Sequence, residues 1–128
     1  MVERAFPVLF AARVSECAAF YEGLGFTRHF QLPPDGEPAY FGLRRGAAEL
    51  AIVSMDWPRQ HYDLEPGERP RFEMFVYADD VDGTVEMLRA RGIRVLRARG
   101  IRVLREPADM PWGERVAYVT DPEGNPVA

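Results

Sequence analysis

Along the chain, apolar and polar positions fall into short alternating runs, each bounded by turn residues. Ala5 to Ala12 is an apolar run, and Pro7 within it has no backbone donor, which predicts an edge or terminal strand. Ser15 is a candidate N-cap for a helix in which Phe20 and Leu24 share one face and which Gly25 should end. Phe26 to Leu32, Ala39 to Arg45 and Glu49 to Met55 then read as strands, separated by turns at Pro33-Pro34-Asp35-Gly36 and near Gly46. The first half is thus a strand, a helix and three strands.

Asp56 to Pro70 holds three prolines and one glycine and has no hydrophobic period, so it predicts a linker. The pattern then restarts. Phe72 to Ala78 reads as a strand, and Asp79 or Asp80 caps a helix with Val81, Val85 and Leu88 at i, i+4 and i+7. Ile101 to Leu104, Val116 to Thr120 and Asn125 onward supply three further strands, giving both halves the order βαβββ. The boundaries are a first module at about 1–56, a linker at 57–70 and a second module at about 71–128, within one domain of 1–128.

An exact repeat interrupts the second half: residues 89–96 recur unchanged as 97–104, leaving eight surplus residues. A strand register shifted by eight keeps its inward face, because the side-chain period is two. The reading favoured here prolongs the helix towards Arg99, ends it at Gly100 and uses the second copy as strand. A tolerated duplication without function accounts for it, since helix ends and loops absorb insertions.

Composition narrows the class. Hydrophobic residues make up 47% of 128 positions, which suits one soluble domain. Sixteen basic against twenty acidic side chains give a net charge of −4, which speaks against a nucleic-acid protein and is compatible with a cationic partner. Cys17 is the single cysteine, so no disulfide framework or Cys-rich metal site is expected, and a small buried packing residue is its simplest role. No apolar run reaches membrane-spanning length, and the first residues lead into a mixed strand, so a cytoplasmic protein without membrane contact is expected.

The most specific stretch is the last. Pro111 and Gly113 bracket Trp112 with residues that favour a turn, so the indole should be displayed on a rim. A β-branched and aromatic strand follows, and Asp121-Pro122-Glu123-Gly124-Asn125 makes a tight reversal. The order Pro-Trp-Gly, strand, Asp-Pro-x-Gly-Asn, strand resembles the C-terminal signature of the glyoxalase/bleomycin-resistance/extradiol-dioxygenase superfamily, and its opening looks most like the bleomycin-resistance branch. The resemblance implies an α+β fold of tandem βαβββ modules forming a cupped mixed sheet, in a homodimer.

Enzymes of that superfamily hold a divalent metal with His, His and Glu at positions that fall here on Phe6, Glu73 and Ala128. Only Glu73 can ligate, so no metal, cofactor or catalytic residue is expected. Glu73 reads better as a half-exposed carboxylate or an anionic contact for a cationic ligand. His29 and His61 are expected at the surface or in a loop. Asp79, Asp80 and Asp82 are explained by capping and by the helix dipole. Trp57, Tyr62 and Phe30 are expected to pack the linker and core.

The resemblance instead implies a small-molecule binder. In bleomycin-resistance proteins aromatic clefts at a subunit interface take a flat cationic antibiotic. Trp112 and Gly113 match the Pro-Trp-Gly element, Tyr40 and Phe41 fall near the other aromatic platform, and Pro7 matches a first-strand proline associated with an arm exchanged between subunits. The expected function is non-catalytic sequestration of a bleomycin-like antibiotic. The alternatives are a lyase, epimerase or dioxygenase of the same fold with an atypical metal site, or a binder of another metabolite.

Overall fold

A computed structural model describes residues 5–68, 71–94 and 101–128. The chain divides into two compact units, 1–67 and 68–128.

The first unit runs β1 (Val8–Ala11), α1 (Val14–Gly23), β2 (Thr27–Leu32), β3 (Tyr40–Arg45), β4 (Ala48–Ser54) and α2 (Asp56–Tyr62). Its sheet has the order β1-β4-β3-β2, with β1 parallel to β4 and the remaining pairs antiparallel. Pro7 sits just before edge strand β1, where its carbonyl accepts from the Ala51 amide and its missing donor removes no ladder bond. Leu9 pairs with Ile52, Gly42 with Ala51 and Arg44 with Glu49. Strand alternation then separates two faces: Phe41, Leu43, Leu50 and Ile52 are buried, while Tyr40 and Arg44 keep access to solvent. α1 contributes Val14, Cys17, Ala18, Phe20 and Tyr21 to the same core, and Tyr21 meets Phe20 and Phe26 edge-on at 5.1 and 6.0 Å. Each of the large buried side chains contributes about 1.5–3 kcal/mol by leaving water.

Helix α1 begins at Val14 with Arg13 at the N-cap, so Ser15 is its second residue and not the cap. The Cys17 amide donates to the Arg13 carbonyl at 3.0 Å, and Arg13 pairs with Glu16, which fixes the start two residues earlier than a Ser15 cap would. Gly25 follows with φ +93°, the left-handed geometry its type suits.

The stretch read as a linker begins instead with α2. Pro58 is its third residue and buried, in the first turn where no intrahelical donor is missed. Arg59 bonds Asp56 one turn back and Glu65 beyond the helix, Trp57 stacks on His61 at 4.0 Å, and Asp63 closes the end at φ 54°. These contacts hold a helix that has no apolar stripe.

The second unit runs α3 (Val81–Arg94), β5 (Val103–Asp109), β6 (Arg115–Thr120) and β7 (Pro126–Val127), with sheet order β5-β6-β7. The strand expected at Phe72 to Ala78 is reduced to a parallel bridge of Met74 with Val127. Three backbone bonds join Met74 and Val76 to residues 126–128. Asp80 is the residue that caps α3: its Oδ1 accepts from the Gly83 amide at 3.0 Å and its carbonyl from Thr84. Val85 and Leu88 are buried where α3 packs on β5 and β6.

α3 passes through Gly92 of the first repeat copy, and β5 begins within the second. The expected helix end between Arg99 and Gly100 lies outside the described residues. Arg89, the first residue of the repeat, pairs with Glu86 on its own helix and with Glu106 on β5.

The reversal after β6 is held by buried polar atoms. Asp121 Oδ1 accepts the amides of Glu123 and Asn125, both at 2.9 Å, and Oδ2 accepts the Asn125 side-chain amide at 3.1 Å. Asn125 Oδ1 in turn accepts the Arg71 amide, tying the start of the unit to its end. Among the described residues no helix is long and apolar enough to cross a membrane.

Candidate functional site

Two surfaces concentrate aromatic and ionic side chains, one in each unit.

In the first unit, the register of β2 against β3 shifts between Arg28 and Phe30, leaving His29 without an opposite residue. Such a bulge re-aims side chains. Here it brings both His29 and Phe30 to a pocket of about 360 Å3 that Phe6 and Tyr40 also line, with Gly42, Arg44 and Glu49. Gly42 allows a close approach, since a Cβ there would lie 3.0 Å from His29 Nε2 and 3.3 Å from Phe30 Cβ. Glu49 Oε1 stands 3.7 Å from His29 Nε2 and 3.5 Å from Arg44 Nε, and the Glu49 side chain is only 13% exposed. Phe30 and Tyr40 meet edge-on at 5.7 Å, and Tyr40 continues to Trp57 at 5.4 Å.

In the second unit, Trp112 is 60% exposed. The loop that displays it is closed by the Met110 amide on the Glu114 carbonyl and the Gly113 amide on the Met110 carbonyl, with Gly113 at φ +94°. Trp112 Nε1 donates to Glu114 Oε1 at 2.9 Å. The Tyr77 hydroxyl donates to the same carboxylate, whose hydrogen bond and charge raise the Tyr77 pKa above its usual value. The Tyr77 ring lies 5.2 Å from that of Phe75, and both are exposed. Since Met74 and Val76 bond residues 126–128, Glu73, Phe75 and Tyr77 follow one another on the other face of this extended segment. Glu73 is exposed there.

The site residues expected from sequence therefore separate. Trp112, Gly113 and Glu73 belong to the aromatic surface of the second unit, and Tyr40 to the pocket of the first. Phe41 is corrected to a core residue: it is 1% exposed, on the strand face opposite Tyr40, with the Arg28 guanidinium 4.1 Å from its ring centroid. Phe30 and Tyr62, expected in the packing, are each 49% exposed, while Trp57 is half-buried between Tyr40 and His61. His29 is exposed, as expected of a surface histidine, and lies on β2 at the rim of the pocket. His29, Arg44 and Glu49 were missed because they meet only across three paired strands. One signal pointed to them: Glu49 interrupts an otherwise apolar strand directly opposite Arg44.

The donor set at the positions matching the superfamily's metal ligands does not fit an ion. Phe6 and Ala128 offer no ligating side chain, and one carboxylate holds a divalent cation poorly. Among the described residues no group of three His, Cys, Asp or Glu side chains could hold a metal.

Comparison with known proteins gives one family. The model of the Glyoxalase/Bleomycin resistance protein/Dioxygenase superfamily matches residues 5–128. Among solved structures, hypothetical protein SA1046 from S. aureus is 17% identical, with a TM-score of 0.75 over 99% of this chain and 91% of that one. A bleomycin resistance determinant encoded on the transposon Tn5 is 25% identical, with a TM-score of 0.59 over 98% and 94%. A bleomycin-binding protein complexed with bleomycin is also 25% identical, at 0.59 over 98% and 95%. No curated protein sequence matches the chain.

Proposed function

Because the chain belongs to the glyoxalase/bleomycin resistance protein/dioxygenase superfamily, we propose that it is a non-catalytic binding protein that sequesters a planar, cationic, bleomycin-like drug. The observation that carries this reading is the exposed indole of Trp112, pinned by Glu114 beside Tyr77. A flat cation stacking on such rings gains about 0.5–2 kcal/mol per ring from stacking and cation–π attraction. The indole is held before any ligand arrives, so less side-chain entropy is lost on binding. Glu73 and Glu114 place negative charge near those rings, and the net charge of −4 steers cations towards the protein. Binding needs no bond to be made or broken, which agrees with a donor set that does not fit a metal.

In this reading Gly113 holds the loop open, and the chain works as a cytoplasmic homodimer whose Pro7-led first strand is exchanged between subunits. Support comes from the 25% identity to a bleomycin-binding protein complexed with bleomycin.

Calorimetric titration of the metal-stripped protein with a bleomycin at moderate salt tests the proposal, alongside Trp112→Ala. Metal-independent binding near one ligand per subunit is expected, weakened at least tenfold in the variant. No binding, or equal binding by the variant, overturns it.

A further inference from the structure

Strand pairing in the second unit sorts its side chains onto two faces. Met74 bridges Val127, Val127 pairs with Val119 and Val119 with Val103, so these four share one face. Arg115 lies on that face too, four residues before Val119 on β6, and its pair with Asp82 places α3 there. The opposite face carries Thr120 and Tyr118 and, across the ladder from them, Arg102 and Arg105. Three residues apart, the two arginines would ordinarily face opposite ways. The register shift between Val103 and Arg105 leaves Leu104 without an opposite residue and brings both arginines to one face. Both are exposed, and among the described residues no carboxylate pairs with either. The nearby Glu106 and Asp109 are taken by Arg89 and Arg115.

We propose that Arg102 and Arg105 form an anion site for a phosphate monoester of a flat ring. Their places on β5 are about 7 Å apart, two residues of β6 at about 3.4 Å each, so both guanidiniums can reach one bound group. A carboxylate fills one guanidinium fork, whereas a phosphate monoester offers three terminal oxygens and about two negative charges, enough for both. The half-buried Tyr118 stands directly opposite Arg105 and gives the ester's ring a surface to stack on. The backbone beneath is fixed: the Thr120 amide donates to the Arg102 carbonyl at 2.8 Å, and the Arg102 amide donates to Thr120 Oγ1 at 3.0 Å. Glu73 shares this face but stands beyond β6 and β7, about 14 Å away at about 4.8 Å per strand, too far to oppose the anion closely. The site goes beyond the binding of a cationic drug, lies wholly within the second unit and uses neither Trp112 nor Glu114.

Titration of phenyl phosphate with the full chain, followed by phosphorus NMR at constant ionic strength, tests the proposal. At pH 8, above the second phosphate pKa of about 6, the probe is a dianion. A saturable shift is expected, with phenyl phosphate at least threefold tighter than methyl phosphate. Arg102→Gln and Arg105→Gln, checked for folding by their melting curves, should each weaken binding at least fivefold. Arg91→Gln is the charge-matched control: Arg91 is an exposed arginine on α3, across the sheet, and its loss should change the affinity less than twofold. No saturable shift, unchanged binding in either Arg102→Gln or Arg105→Gln, an equal loss in Arg91→Gln, or methyl phosphate bound as tightly as phenyl phosphate overturns the proposal. The probes are anions and every variant keeps Trp112, so this proposal and the bleomycin reading fail separately.

Discussion

Trp112 and Glu114 are two residues apart and joined side chain to side chain, the indole Nε1 donating to Oε1 at 2.9 Å. The same carboxylate accepts the Tyr77 hydroxyl, so one residue orders two exposed rings.

The first prediction concerns that carboxylate. The Tyr77 pKa is raised above the ordinary tyrosine value by the hydrogen bond and the charge of Glu114. A raised pKa means that the folded state holds the proton more tightly. The contribution to stability is complete below the ordinary tyrosine value and is lost as pH rises through the folded one. Ultraviolet difference titration of the protein against Tyr77→Phe should show Tyr77 ionising later than a free tyrosine, and Glu114→Ala should abolish the delay. The same Glu114→Ala change should weaken bleomycin binding severalfold by freeing the indole.

Acid acts elsewhere in the second unit. Arg115 forms a two-pronged pair with Asp82 at the start of α3, at 2.6 and 2.8 Å, and reaches Asp109 on β5 at 3.2 Å. The hydrogen bond from Arg115 lowers the Asp82 pKa, so the pair's contribution is complete above the ordinary aspartate range and is lost as pH falls through the lowered value. A carboxyl NMR titration should place Asp82 below the other exposed aspartates, and Arg115→Ala should return it to the usual range. All partners are exposed, so added salt should shrink any stability difference between the parent and Arg115→Ala.

Gly42→Ala tests the pocket floor. The new Cβ would lie 3.0 Å from His29 Nε2 and 3.3 Å from Phe30 Cβ, so the imidazole must move. The fold should survive with a loss of about 1–3 kcal/mol, the usual cost of overpacking. The melting transition should stay cooperative at a lower midpoint, and an unchanged midpoint would show that His29 and Phe30 give way without cost.

How far the sequence could be read depended on what holds each element. The strands of the first unit were legible because alternation and burial agree: Phe41 and Leu43 face the core, and Tyr40 and Arg44 do not. That same alternation removes Phe41 from the expected ligand site. α2 was illegible because Arg59, Asp56, Glu65 and the Trp57–His61 stack hold it in place of an apolar stripe, and Pro58 in the first turn resembled a helix breaker. Residues 72–78 alternate as a strand does, but among the described residues they form only the Met74–Val127 bridge and its flanking backbone bonds. Trp112 was legible from its Pro and Gly neighbours, whereas His29, Arg44 and Glu49 come together only through pairing and a bulge. No local pattern encodes that meeting.

The octapeptide repeat places one text in two conformations. Ile93-Arg94 closes α3, and the identical Ile101-Arg102 is non-helical chain leading into β5. Neighbours, not the dipeptide's own preference, decide which form it takes. Excising residues 89–96 or residues 97–104 yields one and the same polypeptide, so a protein shortened by the insertion has a single form whichever copy is removed.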